Sequence, residues 1–262
     1  MLPYIRILYR DVPVYGLCMA VGAVLGWLLC RARARRLPVP LAPQAVDRCF
    51  LWIGGCALAG AKVYSLALVW PSLMADLPLL RTDPALFLQR YLYGGLVFYG
   101  GLTGGFCAVG WLLWRRAATF SQLESAFLPA LPLVHALGRV GCFCAGCCYG
   151  VPTDSPLGVC YPPGGLAPSG VRLVPIQLWE AGGDLLLFAL LLAPVFSRAG
   201  QRLGAYLTGY GCLRFATECF RGDAARGLAG PLSGAQWISL AAVAAGLLCF
   251  LCAQRRSCPA AP

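Results

Sequence analysis

Six ionisable side chains stand within or at the edges of long apolar runs of the chain: Lys62, Arg139, Glu180, Asp184, Arg214 and Glu218. A charge at mid-bilayer costs about 2.5 to 17 kcal/mol, depending on the reference state, so such residues ordinarily face a polar cavity and mark function. Snorkelling to an interface is the alternative for Lys62, and local pairing is the alternative for Asp184. Arg139 and Arg214 leave less room for that reading. Arg214 and Glu218 are spaced i,i+4, which puts them on one helical face and lets them share a polar cavity. Arg139 lies in Gly-Arg-Val-Gly, whose small neighbours admit other groups close to the backbone. Arginine suits a phosphate because its planar fork donates two parallel hydrogen bonds and never loses its charge. Two such residues on different helices point to an anionic headgroup held at membrane depth. A phospholipid supplies that group without leaving the bilayer.

Directly after Arg139 comes Cys142-Phe-Cys144-Ala-Gly-Cys147-Cys148. A thiolate metal site is one reading, although zinc sites usually pair two separated arms, often with histidine, and His135 is the sole histidine here. An outward-facing disulfide or small-residue packing fits the compact spacing better. A reactive thiol is a further reading, because the neighbouring guanidinium favours the thiolate. Upstream, Tyr93 to Gly105 packs six glycines into thirteen residues. In a membrane that permits close helix contact or a broken helix lining a cavity, with Tyr99 the polar group facing it.

The elements that must position these residues are transmembrane helices. Of 262 residues, 59% are apolar and 12% charged, and the mean hydropathy is +0.71. A soluble domain carries about twice that charge, so an ordinary cytosolic enzyme, a disordered regulator and a nucleic-acid-binding domain are all excluded. Fifteen cysteines, most of them inside apolar runs, do not make a secreted disulfide scaffold. Seven runs approach the roughly 20 residues that a bilayer requires: Pro13–Cys30, Phe50–Trp70, Leu92–Trp114, Leu123–Ala145, Gln177–Val195, Gly204–Phe220 and Ala235–Leu251.

The expected architecture is therefore an all-α integral membrane protein of seven transmembrane helices forming one polytopic domain over residues 1–262. With the N-terminus outside and the C-terminus inside, eleven arginines fall in cytoplasmic segments (31, 33, 35, 36, 48, 115, 116, 198, 202, 255 and 256). Seven fall outside (6, 10, 81, 90, 172, 221 and 226). Asp11, Asp76, Asp83, Asp154 and Asp223 partly offset the outer group. The first run reads as a retained span, since Asp11 precedes it and the Arg31–Arg36 cluster reads as a stop. No internal repeat is visible. The Pro/Gly-rich stretch Val151–Pro175 forms a periplasmic loop between spans four and five, long enough to fold over a site.

In chain order, Tyr15-Gly16, Phe98-Tyr-Gly-Gly-Leu-Thr-Gly104, the run Gly138–Gly150, Pro175-Ile-Gln-Leu-Trp-Glu180, Arg214-Phe-Ala-Thr-Glu-Cys-Phe-Arg221 and Leu232-Ser-Gly-Ala-Gln236 make a set. By these pieces the chain resembles the bacterial phosphatidylglycerol:prolipoprotein diacylglyceryl transferases over nearly its whole length. The resemblance implies a multi-pass protein of the bacterial inner membrane, with phosphatidylglycerol as donor and a lipobox cysteine of a prolipoprotein as acceptor. The diacylglyceryl group would pass to the thiol, giving a thioether and glycerol phosphate, with no metal or organic cofactor and no nucleic-acid partner. Arg139 and Arg214 would hold the phosphate, Glu218 would orient Arg214, and Tyr99 would occupy a catalytic position. Tyr15, Gly100, Gly101, Cys142, Cys147, Gln177, Glu180 and Arg221 would line the substrate cavity.

Against the family's usual pattern, Tyr99 and Val174 stand where histidines are expected, Cys142 where asparagine is, and Cys147 where glutamate is. Tyrosine titrates near pH 10 and makes a weak base at neutral pH; His135, one helical turn from Arg139, is the alternative. The electrostatic half of the chemistry is retained and the proton-handling half altered. Three other readings stand beside the transferase: a paralogue with a different acceptor, a non-catalytic lipid or peptide binder, and a thiol redox or metal protein.

Overall fold

The computed structural model describes residues 4–7, 9–92, 95–163, 165–222 and 228–255. Tyr93, Gly94, Asp223, Arg226 and Arg256, which entered the glycine run and the charge count above, lie outside the described residues. In chain order the elements are β1 (Tyr4–Ile7), β2 (Arg10–Pro13), α1 (Val14–Ala34), α2 (Pro43–Leu68), α3 (Trp70–Ala75), α4 (Leu79–Thr82), α5 (Pro84–Tyr91) and α6 (Phe98–Trp114). They continue with α7 (Phe120–Ala126), α8 (Ala130–Ala145), β3 (Val159–Cys160), β4 (Arg172–Leu173), α9 (Ile176–Leu192), α10 (Gln201–Glu218), β5 (Leu228–Ala229), β6 (Leu232–Ser233) and α11 (Gly234–Arg255). The strands pair as three short antiparallel hairpins.

Among the described residues, four stretches are long and apolar enough to cross a membrane: Val14–Ala34, Pro43–Leu68, Phe120–Ala145 and Gly234–Arg255. Leu51, Leu58, Leu186 and Leu248 are each more than 60% exposed, an outward-facing apolar surface that water would not tolerate and lipid does. The protein is a multi-pass membrane protein. Helices α6 and α9 have 17 residues each, about 26 Å of rise against a hydrocarbon core of about 30 Å. Helix α10 is long enough at 18 residues but carries the charged pair Arg214 and Glu218.

The chain forms two compact units, residues 1–39 with 120–262, and residues 40–119. In the first, α8 packs against α1 and α9, while α10 packs against α9 and α11. Glycines set the closest of these contacts. A Cβ on Gly204 would stand 2.7 Å from the Gly246 carbonyl oxygen, and one on Gly211 would stand 2.8 Å from that of Ser239, so α10 and α11 touch backbone to backbone. The N-terminus of α10 is capped from far away in sequence. Buried Glu124 accepts hydrogen bonds from the backbone N–H of Gly200 (2.8 Å) and of Leu203 (2.9 Å), where the helix dipole favours a negative charge.

In the second unit, α6 packs along α2. A Cβ on Gly104 would collide with the Cys56 carbonyl, and one on Gly100 with the Gly60 carbonyl. The third expected span therefore starts later than the hydropathy indicates. Residues 95–97 are not helical: Gly95 has φ +67°, and the Val97 N–H donates to the Ala61 carbonyl (3.2 Å). Of the two uses anticipated for the glycine run, the close helix contact is present, at Gly100 and Gly104. The helical segments α3 to α5 were not anticipated; there Asp76 accepts from Arg90 and from the Tyr91 hydroxyl.

Candidate functional site

The first unit gathers the charged residues of α8, α9 and α10 around one carboxylate. Glu180 of α9 takes Arg139 Nε on Oε2 (2.9 Å) and Arg214 Nη1 on Oε1 (2.9 Å). Arg214 reaches Glu218 Oε2 with its other terminal nitrogen (2.7 Å), and Arg221 Nε stands 4.0 Å from the same oxygen. Thr217 Oγ1 donates to Glu180 Oε1 at 3.3 Å. The carboxylates are sealed, at 4% and 1% side-chain exposure, while Arg139, Arg214 and Arg221 keep 21%, 15% and 12%. Acid lies behind and base in front. Three guanidiniums against two carboxylates leave this ion-paired cluster one positive charge in excess, on the less buried side chains. Asp184, one turn beyond Glu180, is 1% exposed, and its Oδ1 has no hydrogen-bond partner among the described residues.

Local chain reversal brings the cysteines to the same place. Helix α8 ends at Gly146, which is left-handed (φ +71°), and the Cys147 N–H turns back to the Cys142 carbonyl (3.2 Å), the glycine-terminated helix end. Cys148 is also left-handed (φ +57°). The thiols of Cys142, Cys147 and Cys148 consequently lie within 4.8 Å of one another. Cys144, of the same run, is not in the group. Gln177 is fully buried and donates through Nε2 to the Cys147 carbonyl (2.7 Å) and to the Tyr161 hydroxyl (3.0 Å). Tyr15 of α1 lies against Gly141, where an added Cβ would come within 3.1 Å of its ring.

The described residues of the segment Val151–Pro175 fold on themselves and are tied at their base to neighbouring backbone. The β3–β4 hairpin joins Val159 to Leu173, and Tyr161, Ala167 and Leu173 form a small core. Its base is tied by backbone alone: Gly150 N–H to the Val174 carbonyl (3.1 Å) and Val151 N–H to the Phe220 carbonyl (2.8 Å). A Cβ on Gly150 would stand 2.5 Å from the Val174 oxygen, so this junction requires glycine.

Tyr15, Arg139, Cys142, Cys147, Gln177, Glu180, Arg214, Glu218 and Arg221 thus all belong to the first unit. Tyr99, Gly100 and Gly101 belong to the second. There Tyr99 opens α6, 40% exposed, with its ring 5.9 Å from that of Phe98. Gly100 is occupied by the contact with Gly60, and Gly101 faces the Ala57 carbonyl. Residues that the sequence did not single out also build the site. Thr217 has a hydroxyl one position before Glu218 as its only signal. Tyr161 sits in the Pro/Gly-rich loop, and Tyr210 lies 5.5 Å from the His135 ring, centroid to centroid.

Residues 4–252 match the family described as prolipoprotein diacylglyceryl transferase. The chain is 32% identical over 195 residues to "phosphatidylglycerol--prolipoprotein diacylglyceryl transferase 2" of Clostridium perfringens, covering 74% of this chain and 73% of the relative. It is 29% identical over 238 residues to the "phosphatidylglycerol--prolipoprotein diacylglyceryl transferase" of Clostridium tetani, covering 90% and 91%. With the one from Bradyrhizobium diazoefficiens it shares 32% over 260 residues, covering 94% and 88%. The match over nearly the whole length and these relatives together show that the chain belongs to the prolipoprotein diacylglyceryl transferase family.

Proposed function

We propose that the protein transfers the diacylglyceryl group of phosphatidylglycerol to the lipobox cysteine thiol of a prolipoprotein, on the outer face of the bacterial inner membrane. In this reading residues 1–262 are one polytopic domain of seven spans, N-terminus out and C-terminus in. The spans are α1, α2, α6, the α7–α8 stretch, α9, α10 and α11. The observation that carries the reading is Glu180 holding Arg139 and Arg214, from two different helices, on its two oxygens.

The reaction is a substitution at carbon. The acceptor thiol gives up its proton to solvent, its sulfur forms a bond to the glyceryl carbon as the carbon–oxygen bond to phosphate breaks, and the bonding pair leaves with glycerol phosphate. Charge grows on the departing phosphate, and fixed guanidiniums in a water-poor cavity stabilise it most where it grows. Arg139 and Arg214 make that contact, with Glu180 and Glu218 fixing their forks and Arg221 adding charge. Tyr15, Gln177, Cys142 and Cys147 line the acceptor side. Arg139→Lys and Arg214→Lys keep the charge but lose the fork, so each should lower transfer at least 100-fold. Mass spectrometry of a lipobox peptide incubated with phosphatidylglycerol vesicles reads the added diacylglyceryl mass. Transfer by either folded variant at the wild-type rate would refute the phosphate clamp. Peptide that never gains mass with wild-type protein would refute the transferase in favour of a lipid or peptide binder.

A further inference from the structure

Three thiols, of Cys142, Cys147 and Cys148, sit within 4.8 Å of one another, each half-buried. The backbone is spent on bringing them there. Left-handed geometry at Gly146 reverses the chain, and left-handed geometry at Cys148 (φ +57°), costly for a residue with a Cβ, brings the third thiol in. The Gln177 amide pins the Cys147 carbonyl at 2.7 Å. Cys144 falls outside the group although it lies between two of its members in sequence, so the convergence is not a by-product of cysteine-rich composition.

Thiolates about 2.3 Å from a tetrahedral zinc lie about 3.8 Å apart, so about 1 Å of movement closes this triangle on a metal. Three protein ligands leave the fourth position of such an ion to an exogenous group, and a thiol that coordinates there is held as the thiolate. The site has need of that chemistry. The chain contains a single histidine, and Glu180 and Glu218 are both engaged by guanidiniums. Arg139 precedes Cys142 by one turn of α8, and the bridge between Gly150 and Arg221 brings the end of the cysteine run beside the last arginine. Three thiolates around a divalent ion carry one net negative charge, opposite the single positive excess of the ion-paired cluster.

We propose that Cys142, Cys147 and Cys148 bind one thiophilic divalent cation of the zinc class, and that the acceptor cysteine enters as its fourth ligand. This goes beyond the cofactor-free chemistry expected from the resemblance, and it rests on the transferase reading for the identity of the acceptor. On entry the acceptor thiol releases one proton to solvent. The metal-held sulfur displaces glycerol phosphate from the glyceryl carbon, the electron pair of the broken carbon–oxygen bond leaves on the phosphate, and the neutral thioether dissociates from the metal. No electron changes hands.

The test is a Co²⁺ titration of the purified full-length protein, read by thiolate charge-transfer and d–d absorption, with Zn²⁺ as competitor. Wild type and Cys144→Ser should each bind one ion in this manner, while Cys142→Ser, Cys147→Ser and Cys148→Ser should each lose the band at least tenfold in affinity. A lipobox peptide should shift the d–d band, and the same peptide with serine for cysteine should not. Absence of the band in folded wild type, equal loss in Cys144→Ser, or a spectrum indifferent to the cysteine peptide would each overturn the proposal. Full-rate diacylglyceryl transfer by chelator-stripped protein would overturn it and leave the transferase standing. A bound, peptide-responsive ion without any transfer would uphold the metal site and refute the transferase.

Discussion

Glu180→Gln tests the clamp at its hinge. In the native site Oε1 accepts from Arg214 and from Thr217 Oγ1, whereas Oε2 is ion-paired with Arg139. A glutamine will therefore settle with its carbonyl oxygen toward the two donors and its NH₂ toward Arg139, donor facing donor. The ion pair to Arg139, a charged contact of a kind worth about 1.5–3 kcal/mol, is lost. Since each 1.36 kcal/mol is tenfold in rate, kcat should fall about 10- to 100-fold. The cluster meanwhile gains a positive charge, so KM for phosphatidylglycerol should stay level or fall. Arg139→Lys should instead lose kcat without that gain in ground-state affinity. Glu180→Asp keeps the charge but draws the carboxylate back by about 1.5 Å, roughly the length of one C–C bond; it cannot reach both arginines and should be impaired to an intermediate degree. The assay is steady-state transfer to a lipobox peptide over a range of phosphatidylglycerol fractions in vesicles, with thermal unfolding as the check on folding. A folded Glu180→Gln enzyme with kcat within twofold of wild type would refute the view that this carboxylate positions the arginines.

Two further outcomes concern stability. Glu124→Ala strips the α10 N-terminus of both acceptor contacts and should cost about 3 kcal/mol, lowering Tm by roughly 6–10 °C; Glu124→Gln, keeping one acceptor, should lose less. Gly104→Ala pushes a methyl into the Cys56 carbonyl and should cost about 1–3 kcal/mol, whereas Gly110→Ala, with open space around the new Cβ, should be neutral or slightly stabilising by helix propensity. Differential scanning of the purified proteins separates the two.

Which features the sequence revealed follows from their physics. Arg139, Arg214 and Glu218 announce themselves because a charge in an apolar run must be compensated, and the i,i+4 spacing names one partner without a structure. The role of Glu180 was legible only as a cavity lining. That it bridges two arginines depends on α9 lying between α8 and α10, and no local pattern encodes that packing. Glu124 sits among Ser, Gln and Leu at the start of a helix and looks like a solvated acid, yet its partners are about eighty residues away. The cysteine run left several readings open for a different reason. Four cysteines in seven residues are too crowded for an ordinary zinc arm if the helix continues. It does not continue, because Gly146 and Cys148 both turn left-handed and select three of the four. The third expected span begins six residues before α6 because hydropathy cannot distinguish a helix from the non-helical residues 95–97.

The placing of acid and base on separate helices has a bearing on biogenesis. In the proposed seven-span arrangement, Arg139 and Glu180 would each meet hydrocarbon alone before α8, α9 and α10 have docked, a state the bilayer heavily disfavours. The ion pairs proposed to ready the protein for its donor would thus also be a reason for three segments to find one another as they leave the insertion machinery. A chain so assembled would already have armed its site.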